Sequence, residues 1–219
     1  NSLFLQNNCD LRKTNFVIRI MINRELIRIK IVQLTYAYYQ NGNRNMDNAE
    51  KELLFSLSKA YDLYGLLLDL RHYAEVATTR AQRESIDMPT QKFAYNKFSI
   101  QLEENKMLNT FVDNQKLNWN DDLEFVRKLY LQIVNCEIYQ EYMADSDDSY
   151  EADREVWRKL YKLFIQDNEE LDALLEEKSL YWNDDKDVVD TFVIKTIKRF
   201  DPKNKSKQEL LPEYKDVED

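Results

Sequence analysis

Arg24 and Arg28 stand four residues apart in "NRELIRIK", the spacing that places two side chains one above the other on a helix. The planar guanidinium fork of arginine contacts phosphate oxygens in bidentate fashion, so two of them near a helix N-terminus make a candidate phosphate clamp. Lys30 adds a third cation to the stretch. The competing assignment pairs these groups with acids of the same chain. Seven cations against two carboxylates give residues 1–45 a net charge of +5, so with −9 for the whole chain the remainder carries −14. A basic end that meets an anion such as nucleic acid, on an acidic body that repels it nonspecifically, has this asymmetry, although short basic segments are also often simply solvated.

Other chemistries lack their reagents. The single histidine, His72, supports neither a zinc cluster nor a triad, and Cys9 and Cys136 stand too far apart in sequence to suggest a disulfide framework. Gly42 and Gly65, the only glycines, cannot form a phosphate-cradling loop at their spacing. The acidic run from Asp145 places Asp147 and Ser149 at alternating positions as a calcium loop would. Tyr150 stands where that loop needs glycine and Val156 where it needs a bidentate glutamate, so the run reads as an acidic inter-helix loop. With 40 acidic residues, no one pair of carboxylates is informative. No catalytic residue, metal or cofactor is expected, and the chain is read as a non-enzyme.

Two glycines and three prolines leave little turn punctuation, while 43% hydrophobic residues suffice for a core, so the expected fold is all-α helical bundles with no β-sheet. One helix is expected from Asn23 to Tyr39, stopped by "QNGN" at 40–43. On it Ile22, Leu26, Ile29, Leu34, Ala37 and Tyr38 spread widely enough to imply burial of most of its surface; the helical spacing of Tyr36, Tyr38 and Tyr39 favours the core for them, with a stacking role as the alternative.

A second helix should begin near Asp47, in a capping-box pattern with Glu50, and run to about Glu84 before Met88-Pro89. One or two short helical pieces follow. Later helices are expected over 121–143, 150–166, 168–177 and 184–199. "LNWNDD" at 117–122 recurs as "LYWNDD" at 180–185, and "EFVRKLY" at 124–130 as "EVWRKLY" at 155–161. Each tryptophan would anchor on a core with Asn and Asp capping the next helix; an old duplication is the alternative.

The domain reading takes 1–20, ahead of Met21, as an upstream or added segment outside the fold. It takes 21–115 as the first helix with a long-helix bundle, 116–200 as a second helical region, and 201–219 as a linker toward a further core. No apolar run reaches the roughly 18 residues of a membrane span, so no membrane partner and a cytoplasmic location are expected.

"RELIRIKIVQLTYAYYQ" resembles the first helix of the NusB transcription antitermination family, a cluster of arginines followed by a glutamine and an aliphatic-tyrosine step. Arg24 and Arg28 fall on the ends of that cluster, and Gln33 and Tyr36 on the glutamine and tyrosine; Glu25, Leu26 and Ile27 replace the middle arginines. "AEKELLFSLSKAYDLYGLLLDL", "FVRKLYLQIVNCEIYQEYM" and "SYEADREVWRKLYKLF" resemble the long subtype, which carries a helical insertion after the first helix.

The resemblance implies an all-helical factor that binds boxA-like single-stranded RNA together with ribosomal protein NusE, in the RNA polymerase antitermination complex, supporting rRNA transcription and maturation. It also implies that the chain is a front fragment, since the family's later asparagine-glutamate helix is lacking. The alternative is an acidic helical protein-interaction module without RNA binding of its own.

Overall fold

The computed structural model describes residues 24–42, 45–69, 92–115 and 119–203. Among these residues it is all-α, with no β-strand. The chain divides into two compact units, residues 1–62 with 211–219 and residues 63–210. The expected boundary near 115 therefore falls inside the second unit.

In the first unit, α1 covers Arg24–Gln40 and stops where the sequence indicates. The amide of Asn41 donates to the Ala37 carbonyl at 3.0 Å, and Gly42 turns the chain away at φ +62°, a conformation that costs glycine little. Helix α2 covers Met46–Leu68, with its residues to Asp62 in the first unit and those from Leu63 in the second. Its cap is Asn45, whose Oδ1 accepts from the amides of Asp47 at 3.1 Å and Asn48 at 3.3 Å, so the expected Asp47/Glu50 capping box gives way to a cap two residues earlier.

The second helix ends at Leu68 rather than near Glu84; residues 70–91, including His72, lie outside the described residues. Its two halves differ. The first ten residues are largely exposed or half-buried, whereas from Ala60 every residue to Asp69 is buried.

The second unit is organised on α7, Tyr150–Tyr161, which continues as a π-turn over Lys162–Gln166. Packed on α7 are α3 (Lys97–Glu103), α6 (Glu137–Ala144) and α9 (Lys186–Arg199). Helix α4 (Lys106–Gln115) follows α3, and α5 (Leu123–Val134) precedes α6. The expected single helix over 121–143 is thus broken at Asn135–Cys136. There the Asn135 side chain bonds back to the Leu131 carbonyl at 2.7 Å, and Cys136 Sγ accepts from the Tyr139 amide at 3.4 Å to start α6. Helix α8 (Glu169–Lys178) is tied by Lys128–Glu170 and Lys178–Asp122 ion pairs, at 2.6 and 2.7 Å.

Aromatic rings fill the centre of this unit. Phe93 meets Trp157 at 4.9 Å and Tyr139 edge-on at 5.2 Å, while Phe98 meets Phe200 edge-on at 5.3 Å. Trp119 and Trp182 are both buried as expected; Trp119 donates its Nε1–H to the Leu66 carbonyl at 3.1 Å and stacks on Phe125. Asp122 and Asp185 stand at N-cap positions but make no side-chain capping bond, so the capping role expected of the WNDD acids is not the one they perform.

The two RKLY blocks share one burial pattern, with Val126, Leu129 and Tyr130 buried in one and Trp157, Leu160 and Tyr161 in the other. The WNDD block precedes the first RKLY and follows the second, so the similarity is one of helix chemistry repeated in opposite order.

Candidate nucleic-acid interface

Helix α1 presents three different faces. Leu26 and Lys30, one turn apart, are buried, at 1% and 4% exposure. Lys30, expected beside the arginines as an anion contact, therefore lies on the inward face. Arg28 is exposed, and Arg24 opens the helix one turn before it. Gln33 is half-buried on the same side as Lys30.

The third face overturns the expectation of a mostly buried helix. Val32, Tyr36 and Tyr39 are 68%, 64% and 84% exposed. Together with Arg28 they fall within about 80° of the helix circumference at 100° per residue. Tyr38 alone of the three expected core tyrosines is half-buried. Chain and helix geometry put Tyr36 about 12 Å along the axis from Arg28, and Tyr39 about 4.5 Å further. The Tyr36 hydroxyl accepts a hydrogen bond from Gln40 Nε2 at 2.8 Å, which restrains the ring from its own helix.

A cation followed by two accessible rings on one ridge is a combination that can hold a phosphate and stack unpaired bases. The arginines were legible in the sequence as site candidates; Tyr36, Tyr38 and Tyr39 were legible as stacking groups only as the less favoured alternative to the core, because tyrosine at helical spacing is usually core.

Several buried polar groups of the second unit join its helices. In the second unit Asn96 caps α3, accepting from the Ser99 amide at 3.0 Å, and donates to the Asp153 carbonyl at 3.0 Å. Asp153 accepts from the Lys97 amide at 2.7 Å and the Tyr142 hydroxyl at 2.6 Å, so one carboxylate joins α3, α6 and α7. Burial raises the Asp153 carboxyl above its ordinary value, and raises the Tyr142 phenol with help from its bond to Asp153.

At the end of the π-turn, Lys186 Nζ donates to the Ile165 carbonyl at 3.2 Å and to Asp190 at 3.0 Å; Asp190 also accepts from the Tyr161 hydroxyl at 2.6 Å. Burial raises the Asp190 carboxyl in turn.

The acidic run is an inter-helix loop as expected, over residues 145–149, and Ser149 caps α7 by accepting from the Ala152 amide at 3.1 Å. Lys92 Nζ donates to the carbonyls of Tyr142, Asp145 and Asp147 at 3.0, 2.9 and 2.8 Å and lies 4.4 Å from the Tyr142 ring centre. A tethered ammonium thus satisfies three backbone carbonyls at and beyond the end of α6. Among the described residues no group of three His, Cys, Asp or Glu side chains has metal-site geometry, and no helix is long and apolar enough to cross a membrane.

Comparison with known proteins returns no matching family model, no matching curated protein and no matching solved structure.

Proposed function

We propose that this chain is part of a transcription antitermination factor of the NusB type. In this reading it binds boxA-like single-stranded RNA together with ribosomal protein NusE, within the RNA polymerase antitermination complex, and supports rRNA transcription and maturation without enzymatic activity. The observation that carries the RNA reading is the ridge of Arg28, Tyr36 and Tyr39, exposed on the helix whose sequence resembles that family's first helix. Arg24 and Arg28 supply the phosphate contacts and the two rings supply stacking, which suits a single strand because its bases are free to splay. The acidic remainder of the chain disfavours nonspecific polyanion binding and so leaves affinity dependent on this ridge.

The test is fluorescence anisotropy with a labelled boxA-like single strand, the same strand annealed into a duplex, and a shuffled single strand. Tighter binding of the boxA-like strand than of either control is the expected result. Equal binding to the duplex would remove the stacking reading, and no binding by any of them would remove the RNA reading.

A second reading, an acidic helical interaction module without RNA binding of its own, draws on the net charge of −14 over residues 46–219. Its test is retention of purified basic ribosomal proteins at low salt, with no retention counting against it.

A further inference from the structure

The side of α1 that carries neither Arg28 nor Tyr36 borders a groove of about 530 Å³, whose other wall is the first half of α2. Ile31, Leu34 and Tyr38 line it from α1, at positions one helical turn apart, and Ala49 and Leu53 line it from α2. Met46, 79% exposed, stands at its mouth. Asp47 and Glu50, both exposed, are the charged groups among its described lining residues, and no described lysine or arginine lines it.

Two of its lining residues, Ile31 and Met46, are large hydrophobic side chains that stand exposed. An apolar trough between two helices, one wall of which bears carboxylates, is shaped for an amphipathic helix and charged for a basic one.

We infer that the α1/α2 groove is the docking site for a basic amphipathic helix of a partner protein. The apolar residues of that helix, at i, i+3 or i+4 and i+7, enter between Ile31, Leu34, Tyr38 and Leu53. Its lysines or arginines meet Asp47 and Glu50. This deepens the interaction-module reading and is independent of the RNA reading, because the groove uses none of Arg24, Arg28, Tyr36 or Tyr39. Both surfaces can therefore operate on one helix, or either can fail alone.

The experiment titrates the full chain with three labelled peptides: a Leu/Lys peptide patterned as an amphipathic helix, the same peptide with Glu for every Lys, and a Leu/Lys shuffle of identical composition. Only the first should bind saturably. Asp47→Asn with Glu50→Gln, both at exposed positions, should weaken it by about fivefold, the size of two surface charge contacts. Ala49→Trp, which fills the groove, should remove binding while circular dichroism stays unchanged.

Tyr36→Ala with Tyr39→Ala should leave peptide affinity unaltered while lowering RNA affinity, so failure of this proposal and of the RNA reading are distinguishable. Equal binding of the shuffled peptide, or indifference to both groove variants, would overturn the inference. A dimer in equilibrium sedimentation that Ala49→Trp dissociates would overturn it in favour of a second copy as occupant.

Discussion

The two units of this chain differ in where their unusual side chains are concentrated. In the second unit, charged groups that leave water are met by several partners at once: Asp153 by a hydroxyl and a helix amide, and Lys186 by carbonyls and Asp190. Burying ionised groups is costly unless such partners surround them, and once in place they hold the elements in one arrangement. In the first unit the unusual surface is apolar. Val32, Tyr36, Tyr39 and Met46 stand exposed on α1 and the start of α2. The second unit concentrates multiply bonded buried charges around α7, whereas α1 and the first half of α2 carry six of the eleven exposed large hydrophobic side chains among the described residues.

That contrast can be broken or sharpened by substitution. The largest effects should come from the second unit. Trp157, fully buried against Phe93, should cost about 3–5 kcal/mol when replaced by alanine. Lys186→Ala, which strands Asp190 and the π-turn carbonyls, should cost a similar amount. Urea unfolding checks both, and a loss of under about 1 kcal/mol in either would mean that the networks are not what holds the unit.

Tyr36→Ala with Tyr39→Ala should change stability by no more than about 0.5 kcal/mol, since both rings are exposed, yet lower single-strand affinity by about 1–3 kcal/mol per stacked base. The same pair of measurements on one variant separates presentation from support.

A smaller effect is expected from pH. The Asp153 and Asp190 carboxyls are raised by burial above the ordinary aspartate value of 3.8, so the folded chain binds these protons more readily than the unfolded one. Ionising them therefore costs stability, and their contribution makes the fold more stable as pH falls from the raised folded values toward 3.8, with no further gain below it. Asp153→Asn should flatten that part of the urea-midpoint profile, and an unchanged profile would remove Asp153 from the account.

Much of the fold was legible because its signals were local. The α1 stop at Gly42, the Asn168 start of α8 and the Ser149 start of α7 each rest on one residue's turn or cap chemistry. The breaks were harder to read. Asn135 and Cys136 interrupt a sequence whose apolar pattern runs on, because a back-bonding amide and a thiol cap prevail over periodicity there. Periodicity also misassigned the tyrosines of α1, since helical spacing shows which side chains share a face and not whether anything covers it. Lys30 failed for the same reason in reverse: its charge suggested the surface, and its register places it inward beside Leu26. No residue type near Lys92 announced that it would gather the carbonyls of a loop some fifty residues later, because that arrangement is purely tertiary.

The measurement that tests the central claim most directly is the salt dependence of boxA-like single-strand binding for the chain and for Arg28→Ala. If Arg28 holds a phosphate on the α1 ridge, the slope of log affinity against log salt should fall by about 0.7, with the sequence preference retained. An unchanged slope with unchanged affinity would contradict the account and leave α1 as a surface for protein alone.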